Sequence, residues 1–166
     1  MTDGRSMEQK KLKLLITIKI FIMEKIWFYT TLLQIKEVIQ NAEIKIPKRG
    51  RGNRATPCIW LSTNTDWDET PRIILFKNTY DLDETEEVQL IARIELAPAC
   101  KLMNWKHYKR TQSISQKQIH EVESFGYSMG FGIDKWYYVK DNIPITYWIR
   151  VQYFNGQKWV NYSRKH

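Results

Sequence analysis

The residues best suited to chemistry fall in the run Ile145 to Phe154, where side chains sort by period two. Ile145, Tyr147, Ile149, Val151 and Tyr153 make one face, which reads as core. Thr146, Trp148, Arg150, Gln152 and Phe154 make the other, where aromatic surface alternates with hydrogen-bonding groups, the mixture a ligand cleft needs. The same pattern also suits a half-exposed amphipathic strand. Two carboxylates are candidates for acid-base or electrostatic work. Glu69, in Trp67-Asp68-Glu69-Thr70-Pro71-Arg72, stands in a polar turn among other acids and an arginine, where it can face a cleft or cap the turn. Glu95, at a strand end, is the weaker choice, and ordinary solvated charge accounts for either.

Cations cluster in two places. Pro47 to Pro57 carries Lys48, Arg49, Arg51 and Arg54 around Gly50 and Gly52, an expected exposed loop suited to phosphate, although it lacks the Gly-Lys-Ser/Thr ending of a Walker motif. Trp105-Lys106-His107-Tyr108-Lys109-Arg110 interleaves rings and cations, as surfaces that pair phosphates and stack bases do. With Arg164 and Lys165 these form the case for nucleic acid, without a recognition-helix or RNP signature. Cys58 and Cys100 are the only cysteines, and neither they nor His107, His120 and His166 have metal-ligand spacing, so no metal site is expected.

The elements that must hold these groups are legible in part. Leu12 to Ile22 alternates as a strand would, and Ile26 to Tyr29 reads as a short buried strand. Thr31 and Gln34 have capping-box spacing, and Leu32, Ile35, Val38, Ile39 and Ala42 share one helical face, so a helix is predicted to end near Glu43. Strands are predicted at Ile59 to Leu61, Ile73 to Lys77 and Val88 to Leu96, with a solvated acidic loop at Asp81 to Glu87. A second helix is predicted from the Ser115 and Gln118 capping box to a stop at Gly126. Trp136 to Lys140 and Ile145 to Phe154 are further strands, and Asn155-Gly156 turns the chain into a last one, Gln157 to Tyr162.

A short strand ending Phe28-Tyr29-Thr30, a capped helix, a basic glycine-containing loop and then Trp60-Leu61-Ser62 resembles small bacterial and phage proteins of the ADP-ribosyltransferase fold. The resemblance spans Ile26 to Tyr162 in order of elements and implies a split sheet holding NAD in a cleft. It implies catalytic roles for Tyr29 and for Gln152, which stands on the late strand where the family usually has a glutamate; Glu69 is the acid nearest to hand. It implies cofactor contacts from Thr30, Arg51, Arg54, Trp60, Ser62, Trp148 and Arg150. Two departures stand out: Phe28 occupies the place of the His in His-containing families, and Gln152 carries no negative charge.

Composition bounds the rest. A chain of 166 residues with 43% apolar and 27% charged side chains has the size and balance of one globular unit, and 7 Trp and 9 Tyr favour sheets and clefts over a uniformly oily core. The expected class is a single α+β domain over residues 11–166 with a twisted, mainly antiparallel sheet, whole or split, and two or more helices, preceded by a disordered leader or cloning remnant at 1–10. Leu14 to Ile22 follows Lys10, Lys11 and Lys13 like a signal peptide, but Lys19 interrupts it and it is too short to span a bilayer, so a cytoplasmic protein without membrane association is expected. The net charge of +8 favours an anionic partner. That partner is NAD or a related nucleotide with a macromolecular target, or, for a non-enzymatic phage or mobile-element accessory protein, nucleic acid or an acidic protein.

Overall fold

The structure, a computed structural model, describes residues 24–48, 56–68, 70–75, 91–98 and 101–163. The predicted strand at 12–22, the cationic residues Arg49, Arg51 and Arg54, Glu69, and the acidic run 81–87 lie outside them. The described chain is an α+β domain built on a mainly antiparallel sheet of seven strands in the order β5-β6-β3-β1-β4-β8-β9. Its strands are β1 (Ile26–Thr31), β3 (Ile59–Ser62), β4 (Ile91–Leu96), β5 (Met103–Asn104), β6 (Trp136–Val139), β8 (Trp148–Phe154) and β9 (Trp159–Asn161), and a two-stranded ribbon pairs β2 (Glu43–Ile44) with β7 (Ile143–Pro144).

One face of the sheet carries Ile26, Ile59, Leu61, Ala92, Ile94, Leu96 and Val139, covered by α1 (Leu32–Asn41) through Ile35 and Ile39. The other face, toward β5 and β6, carries Trp60, Trp136 and Tyr138 beneath α3 (Trp105–Thr111) and α4 (Gln116–Ser128). Alternation along each strand thus feeds two cores, one aliphatic and one aromatic.

The local signals behave with instructive differences. Thr31 caps α1 by accepting from the Gln34 N–H at 3.2 Å, but the Gln34 side-chain oxygen accepts from the Thr30 hydroxyl at 2.7 Å, so the reciprocal half of the box is diverted one residue back. α1 ends at Asn41 with Ala42 left-handed (φ 53°), and Glu43 joins the ribbon. The Ser115–Gln118 box forms in full. Its helix does not stop at Gly126: it runs on to Ser128, and Gly126 instead lets the helix backbone approach Trp136, since a Cβ there would lie 2.4 Å from the indole. Thr70–Leu75 is a helix, α2, and not the predicted strand. Asp68 accepts from the Thr70 N–H, and Pro71 sits in the first turn, where its missing N–H costs nothing.

The sorting of the late strand also changes. Arg150 pairs with Glu95 and Trp148 with Leu96, so Ile149 is an extra residue without a partner, a β-bulge. The bulge turns Trp148 onto the aliphatic face with Val151 and Tyr153, and leaves Ile149 55% exposed. Residues Ile145–Tyr147 are a 3-10 turn before the strand, and Ile145 is likewise exposed. The predicted core face therefore holds only from Val151 onward.

Candidate functional site

β1 and β3 are neighbours, yet their ladder contains only the pair Trp27 and Ser62, while β1 and β4 pair along six positions from Ile26 to Thr31. Beyond Trp27 the two strands part. The space between them and the outer edge of α1 is an open cavity of about 420 Å³. Phe28 and Thr30 line it from β1, Ile59 and Trp60 from β3, and Gln34 and Glu37 from the helix. Cys58 and Ile44 deepen its apolar floor, and Glu43, Lys45 and Lys48 stand around it as polar groups. Burial, against the pull of Lys140, pushes the Cys58 thiol up to about 12, so at neutral pH it is a protonated apolar wall and not a nucleophile.

Several polar groups of the cavity are already spent on one another. The Asn41 amide donates to the Glu37 carbonyl at 2.9 Å, and its oxygen accepts from Lys45 at 3.3 Å. Others remain free. Gln34 uses its oxygen on Thr30, and its amide donors have no partner among the described residues. The Trp60 indole N–H is buried without an acceptor among them.

The opposite face of the same strands carries a second polar cluster. The Arg93 guanidinium lies between two indoles, 3.8 Å from the ring centres of Trp27 and Trp159. Its Nε donates to Gln152 Oε1 at 3.0 Å, an Nη1–H donates to the Thr65 carbonyl, and Gln152 donates in turn to Asn161 Oδ1 at 3.0 Å. Desolvation lowers the Arg93 pKa, opposed by Tyr29 and Glu95 nearby. Tyr29 donates its hydroxyl to the Asn64 carbonyl at 2.6 Å, and burial holds its pKa well above the usual phenol range, so it is a neutral donor. Glu95 is buried and ion-paired with Arg150. Ser62 donates to buried Asp68 at 2.9 Å, which fixes the loop whose carbonyls receive Tyr29 and Arg93.

The expected site residues therefore divide between the two sides of the sheet. Thr30 and Trp60 reach the cavity, whereas Tyr29, Ser62, Arg150 and Gln152 belong to the hydrogen-bonded face opposite it. Trp148 is not beside Arg150 and Gln152, because the bulge sends it into the aliphatic core. Arg93, Asp68 and Gln34 are the participants that sequence reasoning passed over. A lone cation in an alternating strand carried a signal for Arg93 only in being flanked by Ala92 and Ile94, which mark its strand as a buried one. The rings of Trp105 and Tyr108 are buried within 1% exposure and stack at 5.7 Å, so they are core and not a base-stacking platform. Lys109 of the same helix is held by Glu123 at 2.6 Å.

Among the described residues no group of three His, Cys, Asp or Glu side chains could hold a metal, and no helix is long and apolar enough to cross a membrane. No family model, curated protein or solved structure matches the chain.

Proposed function

We propose that the chain is a nucleotide-binding domain of ADP-ribosyltransferase type that receives NAD or a related nucleotide where β1 and β3 part. One observation carries this reading: Phe28-Tyr29-Thr30 and Trp60-Leu61-Ser62, the two motifs of the resemblance, lie on adjacent strands that separate around a cavity of about 420 Å³. That volume is in the range of small-molecule sites, about 300–1,000 Å³, and a mostly apolar wall with a few free polar groups is their usual make-up. The net charge of +8 favours a phosphorylated ligand. Cys58 as a buried free thiol accords with a reducing, cytoplasmic setting.

Binding is better supported than turnover. Gln152, at the position of the family's glutamate, is neutral and has both ends of its amide occupied by Arg93 and Asn161. A second reading follows from that observation: a binding-only accessory protein, acting on an acidic protein or nucleic acid and leaving NAD intact.

Calorimetry with NAD and NADH, followed by mass spectrometry for ADP-ribose on macromolecular targets, tests both. Saturable heat with modified targets supports the transferase, saturable heat without NAD consumption supports the binding-only form, and no heat at millimolar NAD overturns the nucleotide reading.

A further inference from the structure

Resting on the nucleotide reading, we infer that the cavity between β1 and β3 takes the ribonucleoside end of the ligand, a planar ring with an acceptor edge and a vicinal diol, and leaves the phosphates outside. The free groups of the cavity define this class. Gln34 amide donors and the buried Trp60 N–H lack acceptors among the described residues, so two donors belong to side chains of the inner wall. A buried donor without an acceptor costs about 1–3 kcal/mol, so a ligand that brings acceptors gains what a hydrocarbon would not. Phe28 and Ile59 supply flat and aliphatic surface for the body of a ring.

Charge then excludes phosphate from the inner space. The carboxylates of Glu37 and Glu43 line the cavity with no cation paired to them among the described residues, and like charge disfavours an anionic group beside them. Carboxylate is an acceptor only, and the hydroxyls of a ribose diol are neutral donors that satisfy it. Glu37 lies one turn beyond Gln34 on α1, so ring and sugar can be read by successive turns of one helix face. Lys48, exposed where the described chain leaves the cavity, is the cation available to a phosphate that projects outward.

The test uses calorimetry of the whole chain with NAD, adenosine, 2′-deoxyadenosine and nicotinamide riboside, repeated with Glu37→Gln, Glu43→Gln and Gln34→Leu after circular dichroism has shown each folded. NAD and one of the two ribonucleosides are expected to bind, the stronger one showing which half enters. Loss of the 2′-hydroxyl and loss of the reading carboxylate should each weaken binding about tenfold, as a hydrogen bond to a charged group does, without adding to one another. Gln34→Leu should weaken NAD and nucleoside alike. NAD bound equally by wild type and all three variants, with no difference between adenosine and its deoxy form, overturns the inference and leaves the nucleotide reading in place. Absence of NAD binding removes that reading, and the inference with it.

Discussion

The indole N–H of Trp136 donates to Asp68 Oδ2 at 2.8 Å, joining the middle of the aromatic core to the loop that leaves β3. The same carboxylate accepts from the Ser62 hydroxyl, the Asn64 amide and the Thr70 N–H, so Asp68 gathers donors from a strand, a loop and a helix start. Because Asn64 and Thr65 present their carbonyls to Tyr29 and Arg93, the order of the polar face depends on this one buried acid.

Asp68→Ala strands those donors in a site that water does not fill, and should cost about 3 kcal/mol of stability, with Asp68→Asn intermediate because one oxygen still accepts. Urea denaturation of both variants measures it. A loss under about 0.5 kcal/mol for the alanine variant, the level of an ordinary surface change, would refute the hub.

Gly126→Ala sets two effects against each other. Alanine favours a helix interior by about 1 kcal/mol over glycine, but overpacking a core costs about 1–3 kcal/mol. Here the new methyl meets Trp136, a rigid ring with no exposure that Asp68 and the edge of Trp105 hold in place. The expected result is a lower melting temperature, and an unchanged or raised one would show that the ring can shift.

Arg93→Lys should be destabilising by about 2 kcal/mol despite keeping the charge. An ammonium cannot lie flat between Trp27 and Trp159 while bonding Gln152 and Thr65 in one plane. The variant's tryptophan fluorescence should shift as the indoles lose their partner, and a native spectrum with a native melting curve would count against the sandwich.

Acid sensitivity is expected from Glu123. Burial alone would raise its pKa, but the bonds from Lys109 and Trp105 outweigh it and hold the carboxyl below its ordinary value of 4.5. A folded-state pKa lower than the unfolded one adds stability that is complete above the unfolded value and fades as pH falls through the folded value. Melting temperatures taken from neutral pH to about pH 3 should therefore fall less steeply for Glu123→Gln than for wild type. Parallel curves would remove Glu123 from the acid response.

The sequence by itself determined the α+β class, the antiparallel character, the two capped helix starts and the Asn155-Gly156 hairpin, where Asn155 Oδ1 accepts from the N–H groups of Gln157 and Lys158 and Gly156 takes φ 93°. Each depends on groups within a few residues, so a local pattern suffices to specify it. Tertiary structure alone decided the rest. Strict alternation assumes an unbroken ladder, and whether Ile149 bulges is settled by the partner strand at Glu95 and Leu96, which the run Ile145 to Phe154 does not contain. The same holds for Trp105 and Tyr108: interleaved with cations they read as a surface, and they are core because α3 lies over Trp60 and Tyr138. Tyr29 and Thr30 are adjacent in the chain yet serve opposite faces of one strand, so a motif read as a single site is divided between a cavity and a buried network. Which side a polar group faces follows from alternation, but whether that side holds a ligand or a partner side chain is fixed only when distant segments close over it.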